Sequence, residues 1–114
     1  MNISIVEDLI NWADDNKKED FREFILFMNK LYEKQLEVNM SYSNFNTAGK
    51  LKRWNVFYNK RFSDFDIDVL LDSYEYTITF KRLTMENFKN EGNNKFIIRD
   101  CENNICKFEL KEGM

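Results

Sequence analysis

Asp64-Phe-Asp66-Ile-Asp68 is followed, after Val-Leu-Leu, by Asp72, and clustered carboxylate oxygens are what a hard cation such as Mg²⁺ or Ca²⁺ takes as ligands. On an extended strand Asp64, Asp66 and Asp68 share one face. Successive same-face residues stand about 7 Å apart, however, so one strand cannot enclose an ion. The central Gly and terminal Glu of an EF-hand loop are missing as well. No metal is expected, and the row reads as a solvated acidic face open to a partner.

Lys50-Leu-Lys52-Arg53-Trp54, continued by Phe57, Tyr58, Lys60 and Arg61, interleaves cations with rings. That pattern grips a phosphate backbone and stacks bases. It matches neither the aromatic and glycine pattern of an RRM nor the glycine loop of a KH domain. A sequence pI near 5.1 also sets most of the surface against a polyanion. Residues 1–48 carry nine acids against five bases and residues 62–114 eleven against seven, while residues 49–61 carry five bases and no acid. The chain is an acidic body with one basic strip, and nucleic-acid binding through residues 50–61 is the alternative to protein binding.

Other chemistries are narrowed by composition. With no histidine, Ser-His and Cys-His nucleophile pairs and His-ligated metals are ruled out. Two cysteines, Cys101 and Cys106, are too few for a disulfide scaffold or a tetrahedral zinc site. The three glycines form neither a GxxxxGK nor a GxGxxG loop, so no nucleotide or other cofactor is expected. Catalysis would have to run on carboxylates, Lys, Tyr or Cys, and no spacing fixes such a site; a non-enzymatic role is expected.

The elements that must position these residues follow from periodicity. Ser4-Ile-Val-Glu7 has the form of a capping box, and Ile5, Val6, Leu9, Ile10, Trp12 and Ala13 make the apolar stripe of a helix ending at Asp14-Asp15-Asn16. Asn16 to Glu19 repeats the capping logic for a second helix. Its stripe is Phe21, Phe24, Ile25, Met28, Leu31, Tyr32 and Leu36. From residue 37 the period falls to two. Val38, Met40 and Tyr42 read as one strand and Trp54, Val56 and Tyr58 as another, joined by a loop over residues 44–50.

A hairpin turning at Asp72-Ser73 sets Phe65, Ile67, Val69 and Leu71 against Phe80, Ile78, Tyr76 and Tyr74, with Asp64, Asp66 and Asp68 facing Lys81, Thr79 and Thr77 outside. Asp-Ser suits a two-residue hairpin turn poorly, so that corner is expected to be looser. Residues 84–90 predict a short helix. A last hairpin turning at Asn103-Asn104 pairs Ile97 with Leu110 and Arg99 with Phe108, and sets Cys101 opposite Cys106 as two reduced thiols within geometric reach of a disulfide.

The chain of 114 residues is thus read as one α+β domain: two N-terminal amphipathic helices packed on a mostly antiparallel sheet of about five or six strands. No apolar run approaches the ~20 residues that span a bilayer, so a cytoplasmic protein with no membrane partner is expected. In size and charge it is similar to the small inhibitors with which phages and mobile elements disable host defence nucleases, anti-CRISPR proteins among them, and to toxin immunity proteins; it matches no family motif. The expected function is that of a non-enzymatic inhibitor or modulator occupying a larger protein or nucleoprotein. The candidate contacts are Asp64, Asp66, Asp68 and Asp72, the helix acids Asp14, Asp15 and Glu19 with Glu7, Asp8 and Asp20, and the basic set Lys50, Lys52, Arg53, Trp54, Lys60 and Arg61. Phe27, Phe45 and Phe57 are expected to be exposed rings.

Overall fold

A computed structural model describes residues 3–42, 44–59 and 64–111, the side chains of Ile3 and Ser4 excepted. Two helices, α1 (Ile3–Asp15) and α2 (Glu19–Lys34), precede seven strands: β1 (Glu37–Tyr42), β2 (Phe45–Asn59), β3 (Asp64–Leu71), β4 (Ile78–Leu83), β5 (Phe88–Gly92), β6 (Lys95–Arg99) and β7 (Ile105–Leu110). The α+β class holds, with seven strands in place of five or six. All pairings are antiparallel, in the order β4-β3-β2-β1-β7-β6-β5. Among the described residues no helix is long and apolar enough to cross a membrane.

The helical stripes bury as their spacing requires. Phe21, Phe24, Ile25, Met28 and Leu31 are buried on α2, and Val6, Leu9 and Ala13 on α1. The Ser4–Glu7 capping box involves a side chain outside those described. Asn16 does not cap α2: the residue before that helix is Lys18, which makes no side-chain cap. Asn16 instead donates its Nδ2 to the Trp12 carbonyl at 2.8 Å, closing the last turn of α1. An Asn just after a helix satisfies a stranded carbonyl as readily as an Asn before one satisfies an amide.

β2 corrects the loop expected over residues 44–50. Tyr42 pairs with Phe45, and β2 then runs unbroken for 15 residues, its first half against β1 and its second half against β3. Gly49 therefore lies within a strand. An ideal Cβ there would stand 2.5 Å from Ser73 Oγ and 2.7 Å from Asp72 Oδ1, so the missing side chain admits the β3–β4 connection. A register shift between Leu51 and Arg53 marks a bulge in β2. Rings from the two halves of the sheet meet across the core: Phe80 of β4 lies 5.5 Å from Tyr42 and 5.9 Å from Phe108, and Phe65 of β3 stacks on Phe88 of β5 at 5.9 Å. Phe24 of α2 meets Phe88, Phe96 and Phe108. Phe27 is only 6% exposed, packed on Phe96 rather than presented to solvent.

Two hairpin registers differ from those predicted. In β3–β4 the partners move by two residues, Ile67 facing Phe80 and Val69 facing Ile78, because residues 72–77 make the longer corner. An even shift preserves faces, so β3 alternates half-buried Asp with buried apolar residues as predicted, while Tyr76 leaves the core and is 66% exposed. In β6–β7 the shift is odd: Phe96 faces Phe108, Ile98 faces Cys106 and Arg99 faces Ile105. Ile97 and Arg99 turn outward as a result, and Cys101 falls in the turn, exposed, away from buried Cys106; both thiols are free. The short helix predicted at 84–90 is one 3-10 turn (Met85–Asn87) followed by β5, which returns through Asn93 (φ 53°) and Asn94 (φ 59°). Two consecutive left-handed Asn residues are the conformation of a type I′ hairpin.

Candidate interaction surface

In an antiparallel pair, directly opposed residues point to the same side of the sheet. Crossing the outer side of β2, β3 and β4, the register sets Arg53 beside Leu70, Asn55 beside Asp68 and then Thr79, Phe57 beside Asp66, and Asn59 beside Asp64. Of the basic candidates, Arg53 therefore shares one surface with Asp64, Asp66 and Asp68. Phe57 stands in it 54% exposed. Next to Phe57 a shallow recess is lined by Tyr58, Asp64, Asp66, Lys81 and Arg82. Tyr58 is 47% exposed and braced edge-on against Trp12 of α1, ring centroids 5.0 Å apart.

Three of the four aspartates also hold the sheet. Asp68 Oδ1 accepts from the Thr79 hydroxyl at 2.8 Å, Asp66 Oδ1 from the Arg82 amide at 3.0 Å, and Asp72 Oδ1 from the Lys50 amide at 2.9 Å. The partners expected for Asp66 and Asp68, Thr79 and Thr77, are replaced by residues further along the chain, following the two-residue register change. Arg82 has φ 56° at a bulge, and the Asp66 carboxylate satisfies the amide it turns out of the ladder. Among the described residues no group of three or more His, Cys, Asp or Glu side chains could hold a metal ion.

The remaining candidates disperse. Trp54 is 0% exposed in the core, with no surface for a partner, and its Nε1 has no hydrogen-bond acceptor among the described residues. Lys50 lies in the first half of β2 opposite Glu37, Lys52 is the extra residue of the bulge and Arg53 falls beyond it, so the basic strip is broken. Asp14 pairs with Arg22 at 3.0 Å at the helix junction, where Asp15 and Glu19 are exposed. Lys60 and Arg61 lie outside the described residues. Phe45, half-buried, packs on Tyr74.

A second cluster escaped the sequence reading. The Tyr42 hydroxyl donates to Asp100 Oδ2 at 2.8 Å, and Asp100 Oδ1 accepts the amides of Glu102 and Asn104, each at 2.9 Å. Burial works to raise the Asp100 pKa, but the Tyr42 hydroxyl and these amides outweigh it and hold the carboxyl below its ordinary range. Burial, then the Asp100 hydrogen bond and charge, push Tyr42 up to about 12. Burial, assisted by Asp100, also drives the Cys106 thiol upward. A thiol held protonated is a poor nucleophile, so this cluster locks the β6–β7 turn onto β1 rather than supplying chemistry. An Asp followed two and four residues later by turn residues is the sequence signal that identifies it.

Comparison with protein-family models, curated proteins and solved structures finds no match to this chain. The fold and surface define an α+β protein with a seven-stranded antiparallel sheet and a mixed-charge outer face.

Proposed function

We propose that this protein acts in the cytoplasm as a non-enzymatic binder, an inhibitor or modulator that occupies a surface of a larger protein or nucleoprotein through the outer side of β2, β3 and β4. The observation that carries this reading is the exposed Phe57 ring beside Asp66 and Lys81, with Asp68 and Arg53 further along the same face. Protein interfaces concentrate their energy in aromatic and Arg anchors rimmed by polar groups. Aspartates interleaved with the cations favour a protein partner over nucleic acid, whose phosphates the carboxylates would repel. A blocking inhibitor of a defence nuclease, or an immunity protein, is the kind of role such a surface serves.

A photoreactive phenylalanine analogue placed at position 57 tests this in host cells. The expected product is a covalent adduct with one protein. Its partner should lose affinity by about 2 kcal/mol or more when Phe57 is changed to Ala. Adducts with nucleic acid alone, or turnover of a small molecule by the purified chain, would overturn the proposal.

A further inference from the structure

The other half of the sheet has its own uncovered side. Lys89 lies opposite Ile97, Ile97 opposite Lys107 and Lys107 opposite Ser41, while Arg99 lies opposite Ile105. Since alternate residues share a face, Ile97 and Ile105 sit on one diagonal and Arg99 and Lys107 on the other, a checkerboard of aliphatic and cationic side chains. Arg99, Lys107 and Ile105 are exposed, Ile105 by 38%. The carboxylates of this face are already engaged: Glu91 with Lys89 at 3.8 Å, Glu109 with Lys95 at 4.0 Å and Glu37 with Lys111 at 3.2 Å. Neither Arg99 nor Lys107 has an ion-pair partner among the described residues. A protein of net charge −3 thus presents a local surplus of positive charge around exposed Ile105 and half-buried Ile97.

We infer that the outward face of β1, β5, β6 and β7 is a second interaction surface, which takes an acidic protein segment carrying aliphatic side chains between its carboxylates. Carboxylates of the segment would meet Arg99 and Lys107, and its aliphatic groups would cover Ile97 and Ile105. Nucleic acid fits less well. The checkerboard offers no ring on which a base could stack, and two free cations neutralise few phosphates.

The test titrates the ¹⁵N-labelled full chain with a synthetic peptide of repeating Glu-Glu-Leu, about 12 residues long, alongside a Lys-Lys-Leu peptide and a single-stranded oligonucleotide of similar length. Amide shifts should concentrate at Ile97, Arg99, Ile105 and Lys107 with the acidic peptide. They should weaken roughly tenfold between about 50 mM and about 300 mM salt. Arg99→Glu combined with Lys107→Glu should abolish them, with unchanged Ile67 and Val69 signals reporting an intact fold, and Ile105→Ser should weaken binding by about fivefold. Phe57→Ala should bind the peptide as the parent does, which separates this surface from the one assigned above. No shifts at millimolar peptide, shifts that survive the double charge reversal, or tighter binding of the oligonucleotide to this face would each overturn the inference.

Discussion

Replacing Gly49 by Ala sets two physical effects against each other with opposite signs. Gly92 is the described glycine with a left-handed backbone, so the conformation of Gly49 is open to any L residue. On backbone grounds alone, Gly→Ala at such a position stabilises by about 0.4–1 kcal/mol, because the unfolded chain loses freedom. Packing says otherwise. The new methyl would overlap Ser73 Oγ and Asp72 Oδ1 and press on Ser73 Cβ at 3.2 Å. Both side chains are held where they are: Ser73 Oγ donates to the Ala48 carbonyl, and Asp72 Oδ1 accepts the Lys50 amide. Rotating Ser73 or Asp72 clear gives up its hydrogen bond, and Ser73 Cβ, fixed to the backbone, must still yield by a few tenths of an ångström, so relief comes only by losing or loosening both bonds. At roughly 1 kcal/mol for each hydrogen bond, less the backbone gain, Gly49→Ala should cost about 1–2 kcal/mol. That corresponds to a fall in Tm of roughly 4–8 °C. Urea unfolding of the parent, G49A, S73G and the double variant measures the coupling. The S73G background should remove a large part of the penalty. A Gly49→Ala protein as stable as its parent, or additive effects in the cycle, would refute the packing argument.

Further outcomes follow from Trp54, the Tyr42–Asp100 pair and the two cysteines. Trp54→Phe deletes an indole N–H that has no acceptor among the described residues, so relief of its desolvation should offset part of the lost ring volume. The expected cost is below about 1.5 kcal/mol, against 3–5 kcal/mol for Trp54→Ala, both read by urea midpoints. Asp100 has a folded pKa depressed below its unfolded value; its contribution is therefore present above the unfolded pKa, about pH 4, and is lost as pH falls through the lower folded value. Asp100→Asn should flatten the acid limb of the stability profile, and an unchanged limb would discount the lock. Tyr42 titrates in the opposite sense, its stabilisation present below pH ~10 and lost as pH rises toward about 12. Ultraviolet titration should show one late tyrosine, absent in Tyr42→Phe. Under native conditions at neutral pH one thiol, Cys101, should react with a disulfide reagent, and Cys106 should follow only on unfolding.

The helices and the core side of β3 were legible because burial imposes a period, and a period is local. Phe21 to Leu31 and Phe65 to Leu71 declare their faces without knowledge of any partner. Register depends on turns, and there the local signal divided. Asn103-Asn104 looks like the turn, yet Asp100 bonds forward to Glu102 and Asn104, opens the connection at its own position and shifts the pairing by three. The polar residues 44–50 resemble a loop because the first half of β2 has one side solvated and Gly49 on the other. The helix predicted at 84–90 failed for a similar reason: apolar Met85 and Phe88 are three apart, which suits a helical turn and equally a 3-10 turn running into a strand. Of the surface, Asp64, Asp66 and Asp68 were readable as one face. That Phe57 and Arg53 join them, or that Lys89, Arg99 and Lys107 align, is a product of pairing between strands and has no trace along the chain.

The position of β7 governs how the two halves of the sheet hold together. β1 and β6 are neighbours of β7 and not of each other, so without residues 105–110 the β5–β6 hairpin has no strand to join and β1 keeps an open edge lined by Val38 and Met40. The sheet is then two unjoined pieces with bare seams, the condition in which strands recruit the wrong neighbour. With Phe108 against Met40 and Cys106 against Ile98, one strand closes both seams, so β7 is the keystone of the sheet although it is made from the end of the described chain.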